Sequence, residues 1–340
     1  MKLPRAAADR LTMKLKGPAF LITIDTEGDD LWSRPHNITT RNSEWLPRFQ
    51  NTCEAYGLVP TYLVNYEMAC CPVFQQFGRE VVRRGTAEIG MHLHAWNSPP
   101  LVPLTADDFG CAPYLIEYPL EVMREKLEFM TRLLRSTFEA EITSHRAGRW
   151  GFNGDYARAL LECGYRVDCS VAPNVSWSGH PGGTGGGPDF RDAPREPYFL
   201  DFNNVCSRGN SGLLEVPVTV VPEAPSRFDW LRRMCPAGSL AGRALNRLAP
   251  RVTWVQPNGR NLARMLRLLD GVVERGESYA EFTLHSSELM PGGSPAFRTA
   301  GSIDALNRDL NALFAAAARN FRGATLSAFA SEFRIAEVAA

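Results

Sequence analysis

Residues 18–24 form a short, continuous apolar run that ends in Asp25-Thr26-Glu27-Gly28-Asp29-Asp30. A run of that length with a charged end predicts a strand buried on both faces. Behind it, Trp45, Phe49, Cys53 and Tyr56 recur at helical spacing, with Ser43 as a cap and Gly57 as a stop. Residues 59–64 predict the next strand, 72–84 a helix stopped by Gly85, and 87–93 a strand ending at two histidines. A Pro- and Asp-rich loop over 97–118 then leads to a helix opening at Pro119, with Met123, Leu127, Met130 and Leu134 as its apolar stripe. Residues 141–145 predict a short strand. A helix capped by Asn153 runs to Gly164, and 165–167 leads into Asp168.

The segment 173–212, which carries GHPGGTGGGP, has little apolar periodicity and reads as one long irregular loop, either a functional cover or disorder. After it come a strand over 213–220, a mixed and mainly helical stretch over 222–250, and a helix over 258–275. A strand over 279–284, a helix over 302–321 and a last strand near 324–329 complete the pattern. No internal repeat interrupts it. Strand–helix alternation in seven or eight units implies a parallel sheet with helical crossovers, open or closed into a barrel.

Composition narrows the reading. At 340 residues and 44% hydrophobic, the chain suits one large α/β domain or two ordinary ones. Residues 1–17 read as a loose basic arm and 18–335 as a single catalytic domain. Lys plus Arg equals Asp plus Glu at 37 each, so there is no bulk basic field for nucleic acid. The arginines at 232, 233 and 243–251 read as a solvated helix face. The eight cysteines are scattered with no CxxC, as expected of reduced thiols. The N-terminal residues lack an apolar signal region and no stretch reaches the length of a membrane span, so a cytoplasmic location is expected.

The chemistry collects at strand ends. Asp25, His92, His94, Arg146, Asp168 and His285 all fall at or just beyond the C-terminal end of a predicted strand, the edge where α/β folds bind ligands. Four of the six histidines, His92, His94, His145 and His285, lie at that edge. Side chains two apart on a strand share a face, so His92 and His94 converge, as do Asp25 and Glu27. Two imidazoles and one carboxylate suit a catalytic divalent metal with positions left open; hydrogen bonding in a core would also account for a strand His pair. Trp32, Trp96, Trp150 and Trp177 flank the same ends, as packing residues or as faces for a sugar ring.

In order along the chain, ITIDTEGD, EIGMHLHAW, HRAGRWG, GYRVDCS and FTLHSSELMPGG resemble the motifs of the polysaccharide deacetylases with a NodB-homology domain, carbohydrate esterase family 4, and most of all their WalW-like branch. The resemblance spans about residues 20–293. It implies a distorted (β/α) barrel, a divalent metal, with Zn²⁺ the first candidate, and an N-acetylated glycan or glycan precursor as substrate. It further implies Asp25 as catalytic base, Arg146 as its ion-pair partner, His285 as general acid, Asp168 as a supporting residue and His92 as a metal ligand. Trp32, Trp96 and Trp150 would line the substrate cleft. The sequence departs from the family pattern in two places. Thr26 stands where the family has a metal-binding aspartate, so Glu27 or Asp25 supplies the carboxylate. Trp96 stands four residues after His92, so His94 becomes the second imidazole ligand. A same-fold hydrolase of a non-carbohydrate amide and a non-catalytic carbohydrate-binding protein are the rival readings.

Overall fold

The computed structural model describes residues 17–180, 182, 183, 185–223, 241 and 251–338. The N-terminal arm and almost all of the stretch read as helical over 222–250 lie outside the described residues.

Strand β1 (Ala19–Thr26) is buried along its whole length, and it organises the sheet. It pairs in parallel with β2 (Pro60–Val64) on one side and with β11 (Tyr279–His285) on the other. From β2 the parallel order continues through β3 (Glu88–Leu93), β4 (Ser144–Ala147), β5 (Val167–Asp168) and β8 (Leu214–Glu215). The hairpin β6 (Tyr198–Asp201) and β7 (Asn204–Arg208) adds antiparallel strands at the far edge. A separate two-stranded pair is made by β9 (Val220–Pro222) and β10 (Val252–Trp254).

Amphipathic crossover helices cover the outside. They include α1 (Leu46–Ala55), α2 (Pro72–Arg84), α3 (Leu120–Phe138), α4 (Gly154–Glu162), α5 (Leu262–Arg275) and α6 (Ala300–Asn320). Helix α2 starts with Pro72 in its first turn and stops where Gly85 turns left-handed at φ 67°, a conformation other residues adopt at a cost. Asn153 caps α4 by accepting from the Tyr156 N–H.

The period of two in β1 sorts its residues between two cores. Phe20, Ile22 and Ile24 pack outward under the helices, whereas Ala19 and Leu21 point inward. The inner core also holds Leu63, Val167, Cys169, Leu214, Val216 and Tyr279, so the sheet curls around its own filling. The barrel is incomplete between β8 and β11. There Tyr279 Oη donates to the Pro217 carbonyl, and the Glu281 N–H reaches Thr219 Oγ1 at 2.8 Å, in place of a strand ladder.

Several sequence expectations change. Residues 324–329 are not a strand. A short β12 (Arg322–Ala324) joins β1, and helix α7 (Leu326–Val338) follows, sending Leu326, Phe329 and Ala330 into the bottom of the barrel. The strand expected over 213–220 is broken, since Pro217 has no N–H to give a ladder. The segment 173–212 is not wholly irregular, because it contains the β6–β7 hairpin. The strand expected over 141–145 begins later, at Ser144. All described cysteines are free thiols, and among the described residues no helix is long and apolar enough to cross a membrane.

Candidate active site

Register brings the functional side chains together in pairs. Asp25 on β1 stands opposite His285 on β11, and His92 on β3 stands opposite Arg146 on β4. The curl of the sheet then joins the two pairs across the barrel. Arg146, fully buried, spans the interior: Nη1 donates to Asp25 Oδ1 at 2.7 Å and Nη2 to Thr23 Oγ1 at 2.7 Å. A second carboxylate, Glu281, pairs with the same Nη2, and Nε donates to the Cys169 carbonyl at 3.2 Å.

Glu27, just past the end of β1, meets the two histidines of β3. His94 Nε2 is 2.9 Å and His92 Nε2 3.6 Å from Glu27 Oε2. These three residues are buried and can each offer a ligand atom, all within 4.8 Å of one another. Ser286 fixes the Glu27 backbone, accepting from its N–H and donating to its carbonyl, both at 3.1 Å. His92 Nδ1 lies 3.0 Å from the Arg146 carbonyl, to which it donates. That leaves Nε2 facing Glu27, as the ring atom that could ligate a metal. The donor set of two imidazoles and one carboxylate fits a divalent cation.

The electrostatics divide the site into roles. Burial raises the Asp25 carboxyl, but the Arg146 guanidinium, with His92 and His285, outweighs it and holds Asp25 below the ordinary carboxylate range. Glu27 is likewise opposed by burial yet held well below that range by hydrogen bonds from His92 and His94. Burial pushes the His94 imidazole down to about 4 despite Glu27, which makes it a neutral donor. His285 goes the other way. Burial alone would lower it, but the Glu288 hydrogen bond, with Glu27 and Asp25, raises it to about 9. Glu288 Oε2 lies 3.2 Å from His285 Nδ1, and His285 Nε2 stands 3.8 Å from Asp25 Oδ2.

Of the residues singled out in the sequence, Asp25, Glu27, His92, His94, Arg146 and His285 come together. Asp168 does not join them. It faces outward from β5, where its carboxylate binds His145 Nδ1 at 2.6 Å and the Ser170 N–H and hydroxyl at 2.9 Å. His145 likewise turns away from the barrel, its Nε2 2.9 Å from the Tyr156 hydroxyl on α4. The reason is the strand period: Arg146 and Val167 point inward, so His145 and Asp168 cannot. Trp32, which is exposed, meets His285 edge-on at 4.9 Å. Trp96 packs against His94 with the ring centroids 4.2 Å apart and the planes tilted by 43°. Trp150 lies over Arg146 at 5.1 Å, beside Trp177 and Trp254.

The sequence reading did not single out Thr23, Glu281, Ser286 or Glu288 for these roles, nor Lys126. The Lys126 ammonium, buried on α3, donates to the Ser98 and Pro100 carbonyls at 2.6 and 2.7 Å and so ties down the loop after His94. Gly148 is a further constraint. A Cβ there would lie 2.5 Å from the Leu93 carbonyl oxygen and 2.7 Å from His94 Nδ1. Gly148→Ala is therefore expected to displace His94 and weaken divalent-metal binding by roughly 10–100-fold, the range seen when the support of a ligand is disturbed. Competition with a chromogenic chelator measures this, and unchanged affinity would show that His94 does not bind the ion.

No protein-family model and no curated protein sequence matches the chain. Solved structures do. A protein from Mycobacterium smegmatis described as a polysaccharide deacetylase aligns over 94% of this chain and 92% of its own, with a TM-score of 0.52 and 16% identity. The 4-alpha-glucanotransferase of Thermococcus litoralis aligns over 93% of this chain but only 40% of its own, at a TM-score of 0.53 and 12% identity. A GH57 branching enzyme from Thermococcus kodakaraensis aligns over 93% and 71%, at 0.51 and 11%. At these identities the likeness is one of fold, and this chain has the curled (β/α) half-barrel of the NodB-type polysaccharide deacetylases.

Proposed function

We propose that the protein is a metal-dependent hydrolase that removes the acetyl group from an N-acetylated sugar of a glycan or glycan precursor, in the manner of the WalW-like deacetylases. The observation that carries this reading is the junction of two units: a Glu27–His92–His94 ligand cluster beside an Asp25–Arg146 ion pair and a protonated His285. Glu27, His92 and His94 would hold the divalent ion, which when bound supplies Lewis-acid activation of a carbonyl and of a water. Asp25, kept ionised by Arg146, accepts the proton of the attacking water. His285, oriented through Nδ1 by Glu288, gives a proton from Nε2 to the departing amine. Trp32, Trp96 and Trp150 bound the cleft and offer faces for the sugar ring.

The test begins with metal analysis. One divalent ion per chain is expected, together with acetate release from N-acetylated oligosaccharides that stops on chelation and returns on adding Zn²⁺. A protein that binds no metal on titration would remove the hydrolase reading and leave a carbohydrate-binding role. Metal without acetate release from any sugar would favour a different amide. The pH profile gives a second check. Because the Glu288 carboxylate stabilises protonated His285, Glu288→Gln lowers that pKa. The alkaline fall in kcat/KM should move to lower pH while the acid limb stays in place. An alkaline limb that does not move would exclude His285 as the acid.

A further inference from the structure

We propose that Arg34 and Arg149 form a binding site for an oxyanion, a phosphate or a carboxylate, carried by the substrate beside the sugar whose amide is cleaved. The two guanidinium groups flank one aromatic ring: Arg34 Cζ is 5.8 Å and Arg149 Cζ 4.9 Å from the centroid of Phe109. Arg149 also lies over Trp96 at 5.0 Å, and Trp96 in turn packs against His94 at 4.2 Å. Arg149 is therefore separated from His94 of the candidate ligand cluster by a single indole, and Arg34 reaches it through Phe109.

Among the described residues, neither guanidinium makes a hydrogen bond or an ion pair. Other arginines carry a carboxylate partner, as Arg84 does with Glu54, Arg124 with Glu162 and Arg146 with Asp25. Asp107, on the neighbouring loop, accepts from the Gly110 N–H through Oδ1 at 3.0 Å, and its Oδ2 borders the same spot beside Gly110 as Arg34 Nη1. Arg149 is half-buried, and burial together with the nearby Arg34 charge disfavours its cationic form. Glu27 and Asp107 are the opposite charges that act on Arg149, and among the described residues neither is in hydrogen-bonding contact with it.

The backbone points the same way. Arg34 (φ 52°), Arg149 (φ 52°) and Trp150 (φ 62°) all adopt the left-handed region without being glycine. Such strain persists where the surroundings enforce it, commonly at binding sites. At residue 149 it sits directly after Gly148, where the chain passes His94. Planar guanidinium forks match the paired oxygens of a phosphate or carboxylate. The inference rests on the proposed hydrolase reading only in assigning the anion to the substrate.

Calorimetric titration of the full chain as purified, with N-acetylglucosamine, its 1-phosphate and an N-acetylated uronic acid, tests the site without reference to turnover. At least one anionic sugar should bind about tenfold or more tightly than the neutral one, and the tighter of the two identifies the anion. The advantage should shrink with added salt. Arg149→Met and Arg34→Met should each remove most of it, and Arg149→Lys should keep part. Equal binding of the three sugars, or an Arg149→Met protein that retains the full preference, would overturn the proposal. So would Arg149→Lys and Arg149→Met behaving alike, since that would make Arg149 a packing residue. A preference that depends on Arg149 without acetate release from any sugar would leave the anion site standing and remove the hydrolase reading. Acetate release that is indifferent to substrate charge and to Arg149 would do the reverse.

Discussion

Asp25→Asn is expected to lower acetate release by roughly 10²–10⁴-fold, the usual contribution of a positioned general base, while leaving the divalent ion bound. The two halves of this expectation come from different atoms. Asp25 Oδ1 is taken up by Arg146 at 2.7 Å, and Oδ2 faces His285 at 3.8 Å. The ligand atoms, in contrast, come from Glu27, His92 and His94. Asparagine keeps an oxygen for Arg146 but has no basic site, so packing is retained and proton acceptance is lost. Metal content and turnover measured on the same preparation separate the roles. Loss of the ion in Asp25→Asn would make Asp25 a ligand, and full activity would exclude it as the base.

That division between Asp25 and Glu27 is where the sequence and the structure meet most closely. The strand period brought both carboxylates to one side, but only the sheet decides which meets Arg146 and which meets the histidines. Alternation of strands and helices was legible because strands buried on both faces leave long apolar runs, as in β1. His92, His94 and His285 were legible as strand-end residues for the same reason. Asp168 and His145 occupy similar positions along their strands yet face the helices, because the inward parity of each strand was not assigned.

Glu281 escaped notice although Tyr279, Glu281, Thr283 and His285 alternate on one face, and a carboxylate in a buried strand needs a partner. Its partner, Arg146, comes from β4, across the interior, and only the curl of the sheet reveals the pairing. Helix α7 differs from the strand expected near 324–329 because a short apolar run fits either element. The recurrence of Leu326, Phe329, Ala330 and Phe333 at helical spacing, and a length of 13 residues, mark it as helix.

Arg146→Met should be the most destabilising single change at the site, costing about 3–5 kcal/mol at pH 8, the range for stripping a partner from a buried charge. Arg146 is fully buried and its removal strands two carboxylates, Asp25 and Glu281, both shielded from water. The pH dependence follows from their titration. In the wild type Asp25 has a lowered pKa, so its contribution is present above the ordinary aspartate value and fades only as pH falls through the lowered one. Burial already lifts Glu281 to about 7, with Arg146 offsetting part of that rise. Without the guanidinium both carboxyls move up, and a raised carboxyl costs stability as pH climbs from its unfolded value toward its folded one. The deficit of Arg146→Met should therefore shrink at pH 5.5, where protonation relieves both groups. Adding Glu281→Gln should return part of the loss at pH 8, because it removes one stranded charge. Urea unfolding of the wild type and both variants at the two pH values measures this. A deficit that is the same at both would mean that lost packing, and not the stranded pair of buried charges, sets the cost.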